Sequence, residues 1–226
     1  MVKNMEKLSL IIFDMDGLMF DTERLALLAW EKAGKDFGFE IPPNIYTKTI
    51  GSDFRDIQLT YNNHFGKSFP YHEIRKTEIQ YTKKYIEQNG VPVKKGLYQL
   101  LDFLEEKSIL RAVATSTERE RAEKYLSLAN IKDKFDLIVC GDDVLRGKPE
   151  PDIFLKAAEG LNCLPNECIV LEDSENGLRA ASRAGMYPIC IPDLIKPSKE
   201  VQKLIFREVE SLVEVKDFIE KDLNFI

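Results

Sequence analysis

The stretch Leu8-Ser-Leu-Ile-Ile-Phe-Asp-Met-Asp-Gly17 decides the reading of this chain. An almost unbroken apolar run ends abruptly in two carboxylates that flank a single methionine. A short apolar run of this kind predicts a strand covered on both faces, as in a parallel sheet. Gly17 allows a sharp turn and lets its amide come close to a ligand. Asp14 and Asp16 repel one another at this spacing unless a cation or a proton separates them. Mg²⁺, which takes a few hard oxygen ligands, would resolve the conflict. By itself, Asp-x-Asp also fits a solvated turn at the end of a strand.

The same pattern recurs along the chain. Leu110–Ala114, Asp136–Cys140, Cys168–Leu171 and Tyr187–Ile191 read as further strands. Amphipathic stretches at Leu97–Lys107, Glu118–Leu128, Ile153–Gly160 and Asn176–Ala184 read as the helices between them, with Thr117 and Glu120 as a capping box for the second. Such alternation predicts an α/β fold with a doubly wound parallel sheet. One connection breaks the rhythm: about 80 residues separate the first strand from the next core helix, far more than a strand–helix loop needs. Helical patterns at Thr22–Phe37, Asp53–Phe65 and Tyr71–Gln88 fill it, punctuated by Pro42-Pro43, Gly66, Pro70 and Gly90-Val-Pro92. The expected organisation is a core of residues 1–20 and 93–226 with a small helical cap domain, 21–92, inserted after strand one. A short strand and a helix are expected within Glu208–Ile226.

Three more polar clusters follow apolar strands at their carboxyl ends, the edge where open α/β sheets bind ligands. In Ala114-Thr-Ser-Thr117, Thr115 and the Ser116 region could hold phosphate oxygens at a helix N-terminus, although plain capping explains these residues too. In Gly147-Lys-Pro-Glu-Pro-Asp152, Lys148 could neutralise both Asp14 and an incoming phosphate; alone, it would pass for a surface lysine. In Leu171-Glu-Asp-Ser-Glu-Asn-Gly177, two acids after a strand need a metal beside the first Asp pair, with Asp173 as direct ligand and Glu172 as ligand or as an acceptor behind it. Helix-dipole complementation is the competing explanation for this pair.

Bulk properties narrow the function classes. The 226 residues are 44% hydrophobic and 31% charged, with a net charge of −6, an ordinary globular composition without the basic stripe of a nucleic-acid binder. The cysteines (Cys140, Cys163, Cys168 and Cys190) form no C-x-x-C pair and are expected as free thiols. No stretch is long enough to span a membrane, and the cytoplasm is the expected compartment. A monomer is expected, since no exposed apolar stripe stands out. His64 and His72 are expected at the surface, and Trp30 and the neighbouring tyrosines in packing.

Taken in order, Asp14-Met-Asp-Gly17, Thr115, Lys148 and Glu172-Asp173 resemble the motifs of the haloacid dehalogenase superfamily over essentially the whole chain, and the helical insertion resembles its small cap. The resemblance implies a Mg²⁺-dependent phosphatase acting on a small phosphate ester. Asp14 would be the nucleophile and Asp16 the general acid and base. Thr115 and Lys148 would hold phosphoryl oxygens, and Asp14, the backbone carbonyl of Asp16 and Asp173 would hold the metal. Asp21-Thr-Glu-x-x-Ala-x-x-Ala-Trp30 is similar to the cap start of sugar-phosphate phosphatases and beta-phosphoglucomutases. Relatives of the mutase type usually carry histidine where this chain has Ala26, and Glu23 resembles the phosphatase version, which favours hydrolysis. Glu23 and Arg55, in Ile50-Gly-Ser-Asp-Phe-Arg55, are the expected cap contacts to substrate; the arginine falls one place later than in the mutase pattern. Lys94-Lys-Gly96 stands where relatives often have Pro before Gly. A phosphoglucomutase-type isomerase and a receiver-like signalling domain are the alternatives. A carbon dehalogenase would have no use for the acids at 16 and 173.

Overall fold

The computed structural model describes residues 5–50 and 54–222, the side chains of Phe54 and Arg55 excepted. The chain divides into two compact units, one of residues up to Phe20 and from Val93 onward, the other Asp21–Pro92.

In the first unit, β1 (Leu10–Phe13) has no exposed residue, which requires cover on both faces of the sheet. After the second unit the chain continues through α5 (Leu97–Glu106), β2 (Leu110–Ala114), α6 (Arg119–Leu128), β3 (Leu137–Val139), α7 (Asp152–Gly160), β4 (Cys168–Glu172), α8 (Glu175–Arg183), β5 (Tyr187–Cys190), α9 (Lys199–Gln202), β6 (Arg207–Glu208) and α10 (Leu212–Asp222). The helices between 21 and 92 are α1 (Thr22–Asp36), α2 (Pro43–Thr47), α3 (Phe54–Phe65) and α4 (Tyr71–Asn89). All strands are parallel, in the order β3-β2-β1-β4-β5-β6. This is the doubly wound α/β arrangement, and it reverses direction beside β1.

Leu10 and Ile12 share a buried cluster with Ile153, Phe154 and Ala157 of α7 and Ala180 and Ala181 of α8. α5 packs against β2, and α10 against α5. The strand register sets where the polar residues emerge. Phe13 lies level with Val113 of β2 and Leu171 of β4, so Asp14, Ala114 and Glu172, each one residue further on, come out side by side.

The second unit is built around aromatic rings. Trp30 stacks on Tyr61 at 4.8 Å and on Tyr71 at 5.7 Å, and Phe65 stacks on Phe69 at 4.7 Å. Trp30, Tyr61 and Tyr71 are all buried, so these rings are packing material. α1 lies mainly against α4. The Pro42-Pro43 pair, expected as punctuation, opens the short helix α2 with proline in the first turn, where its missing N–H costs nothing.

The capping box expected at Thr117 and Glu120 does not form. α6 starts at Arg119 with Glu118 in the capping position and no side-chain cap, because the Thr117 hydroxyl is engaged elsewhere. All four cysteines are free, with Cys140, Cys168 and Cys190 buried, and both histidines are exposed. Among the described residues no helix is long and apolar enough to cross a membrane.

Trp30 is the only tryptophan, so its fluorescence reports on the Asp21–Pro92 unit. Tyr61→Ala, which removes the fully buried ring stacked on it, should red-shift the emission and cost about 3 kcal/mol of that unit's stability in a urea titration.

Candidate active site

The site forms at the carboxyl edge of β1, β2 and β4, and the register explains its composition. Asp14 leaves β1, and its amide donates to the Leu171 carbonyl at 3.0 Å. The chain then folds into a tight turn in which Gly17 N–H donates to the Phe20 carbonyl at 2.9 Å. Gly17 has φ +83°, and a Cβ there would stand 2.2 Å from Oδ2 of Asp173. Any other residue would therefore be strained and would also displace an acid of the site.

Lys148 ties the strands together. Its ammonium donates to Oδ1 of Asp14, to the Ala114 carbonyl at 3.0 Å and to Oε1 of Glu172 at 2.7 Å, which uses all three of its protons. The three side chains are buried, at 5%, 11% and 0% exposure for Lys148, Asp14 and Glu172. The other oxygen of Glu172 accepts from the amide and the hydroxyl of Ser174, both at 2.9 Å. Ser174 also caps α8, its hydroxyl oxygen accepting from Gly177 N–H at 3.1 Å.

Burial pushes the Asp14 carboxyl up to about 7, against the pull of Lys148 and with the help of the Glu172 charge. Burial also works against the Lys148 charge, but the neighbouring carboxylates outweigh it and hold the ammonium protonated. One ammonium thus serves two buried acids, with Asp173 and Asp16 close behind. Ligand oxygens of Asp14, Glu172 and Asp173 all lie within 4.8 Å of one another. A set of hard carboxylate oxygens carrying more negative charge than Lys148 offsets fits a divalent cation such as Mg²⁺.

Asp16 points differently. Its Oδ2 accepts from the Thr117 hydroxyl at 2.6 Å, and its carboxylate is outside the converging trio. Thr115 is 1% exposed; its hydroxyl oxygen accepts from the Thr117 amide at 3.1 Å, which leaves the Thr115 proton to donate. Ser116 is exposed on the same loop. A second acidic group, Cys140, Asp142 and Asp143, is occupied by Arg119, whose guanidinium donates to Asp143 and whose amide donates to Asp142.

The sequence-derived residues Asp14, Asp16, Gly17, Thr115, Lys148, Glu172 and Asp173 therefore meet at one edge. Glu23 belongs to the other unit, where it accepts from the Tyr46 hydroxyl at 2.7 Å. The Arg55 side chain lies outside the described residues. Sequence reasoning missed Ser174 and Thr117. Ser174 carried a readable signal, a helix-capping residue type directly before an acidic first turn. Thr117 carried one that pointed to a different job.

Comparison with known proteins agrees with this geometry. The family model for haloacid dehalogenase-like hydrolases matches residues 11–191, from β1 through the end of β5. The chain belongs to the haloacid dehalogenase-like hydrolase family. Within it, the chain is 31% identical to the phosphorylated carbohydrates phosphatase of Thermotoga maritima, over 79% of this chain and 82% of that one. It is 30% identical to the beta-phosphoglucomutase of Bacillus subtilis, over 79% and 81%. The solved beta-phosphoglucomutase of Clostridium difficile superposes with a TM-score of 0.72 at 25% identity, covering 96% of this chain and 97% of that one.

Lys148→Met leaves Asp14 and Glu172 buried without their shared cation. Urea unfolding in EDTA should show a loss of about 3 kcal/mol or more. An unmoved midpoint would mean that the ammonium contributes nothing net to the fold.

Proposed function

We propose that this chain is a Mg²⁺-dependent phosphatase that hydrolyses a phosphorylated carbohydrate through a phospho-aspartate on Asp14. The observation that carries the reading is the convergence of Asp14, Glu172 and Asp173 around Lys148 at the edge where Thr115 and the Gly17 turn also end. The kinship with a phosphatase of phosphorylated carbohydrates supports the substrate class.

In this reading Asp14 attacks phosphorus. The bond from phosphorus to the ester oxygen breaks, and Asp16 gives its proton to the departing alkoxide. Asp16 then takes a proton from water, whose oxygen attacks the phospho-aspartate, releasing phosphate and restoring Asp14. The Thr115 hydroxyl holds one phosphoryl oxygen, and Lys148 holds another by turning toward it the proton otherwise given to Asp14, so that both offset the charge that builds there. Asp14, the Asp16 carbonyl and Asp173 would hold Mg²⁺, which when bound neutralises phosphoryl charge and relieves the repulsion among the acids. Glu172, whose oxygens are already taken by Lys148 and Ser174, orients the lysine. Ser116 amide and hydroxyl, the turn at Gly17, whose own N–H is taken by the Phe20 carbonyl, and Glu23 and Arg55 are assigned to substrate contact.

Phosphoglucomutase chemistry is the second reading, favoured by the kinship with beta-phosphoglucomutases. The methyl group of Ala26 on α1, where such mutases usually carry histidine, can neither move nor hold a proton, and hydrolysis is preferred on that ground.

Phosphate release from a panel of sugar monophosphates should require Mg²⁺, stop in EDTA and vanish in Asp14→Asn. Conversion of beta-glucose 1-phosphate to the 6-phosphate faster than phosphate appears would overturn the assignment.

A further inference from the structure

We infer that Thr117, backed by Arg121, is a positioning residue that fixes the direction of the Asp16 carboxylate. The inference rests on the reading of Asp16 as the proton-transfer group.

Thr117 is 5% exposed and held from several sides. Its amide donates to Oγ1 of Thr115, and its carbonyl accepts from Gly141 N–H at 3.0 Å. Gly141 permits that approach, since a Cβ there would stand 2.3 Å from the Ser116 carbonyl oxygen. The hydroxyl is fixed as well. Arg121, one helical turn further on, donates from Nη2 to Thr117 Oγ1 at 3.0 Å. A hydroxyl has one proton, and with the guanidinium on its oxygen that proton is directed to Oδ2 of Asp16 at 2.6 Å. The arrangement explains why a threonine at the start of α6 does not cap it.

The physical need for such a clasp comes from the charges around it. Asp14 and Asp173 converge beside the Lys148-bound Glu172 where a cation fits, and an unrestrained carboxylate two residues from Asp14 would be drawn in as an additional ligand. A carboxylate bound to a metal is a poor proton donor and a weak base. The Thr117 hydroxyl, polarised by the positive charge of Arg121, gives Asp16 a competing partner. Asp16 then stays outside the ligand set and faces the leaving oxygen.

The test is the dependence on leaving group. Protonation matters for a sugar alkoxide and hardly at all for 2,4-dinitrophenolate, which leaves unaided. In Thr117→Val, kcat/KM for a sugar phosphate should fall roughly 10- to 100-fold, and for 2,4-dinitrophenyl phosphate less than about 3-fold. Thr117→Ser, which keeps the hydroxyl, should restore most of the sugar-phosphate rate. Arg121→Met, at an exposed position, should show the same split in weaker form and serves if the valine variant does not fold. Asp16→Asn must show the split most strongly. If Asp16→Asn slows both substrates alike, the assignment of Asp16 as the acid is wrong. If Asp16→Asn discriminates but Thr117→Val and Arg121→Met do not, Thr117 is only a structural residue and the inference is overturned.

Discussion

The ammonium of Lys148 stands between two carboxylates that would otherwise be buried side by side. Asp14 and Glu172 come from β1 and β4, adjacent parallel strands, and the pairing Phe13↔Leu171 makes their proximity unavoidable. Neither acid can be withdrawn without shifting a whole strand, since a parallel register fixes every residue beyond it. Lys148 answers this constraint from the loop before α7, and its third proton goes to the Ala114 carbonyl of β2. One side chain therefore joins the ends of three strands. The surplus negative charge that remains is what makes the edge receptive to a cation and, beyond it, to a phosphate.

That constraint shapes the rest of the edge. Glu172 has to be oriented so that one oxygen meets Lys148, and Ser174 does this while starting α8. Asp173 has to come close to the Gly17 turn, which only a residue without a side chain allows. Asp16 has to be kept apart from the other acids, and the loop after β2 supplies the hydroxyl for that. Each loop end thus carries both a structural duty and a chemical one.

Much of this was legible in the sequence because parallel sheets bury whole strands, and such strands show as unbroken apolar runs. β1, β2, β4 and β5 were readable for that reason, and the first three of them ended in the polar residues that form the edge. β6 was harder: its two residues are exposed and present no apolar run. α2 was hidden because Pro42-Pro43 looks like a break until the second proline is recognised as a first-turn residue. Thr117 misled because threonine three residues before glutamate is a capping signal, and local sequence cannot reveal that a carboxylate 101 residues away competes for the same hydroxyl. Lys148 was readable only as a possibility, since its partners lie on other strands. The Ala114 carbonyl left no trace at all in the sequence, as backbone acceptors never do.

The way the chain leaves and rejoins the first unit bears on how the sheet is assembled. Phe20 and Val93 form an antiparallel bridge, and Asp21 N–H donates to the Pro92 carbonyl at 2.8 Å. The two ends of a long insertion therefore lie side by side. Leu10 pairs with Leu110, a separation that in an unstructured chain would make the central strand pair slow to find. Once Asp21–Pro92 has folded, however, the effective connection between β1 and β2 shrinks to residues 14–20 and 93–109, an ordinary crossover through α5, and the closure entropy shrinks with it. The insertion then costs the sheet little more than a tight turn would. Its length and sequence are free to change without disturbing the strand register on which the acids depend.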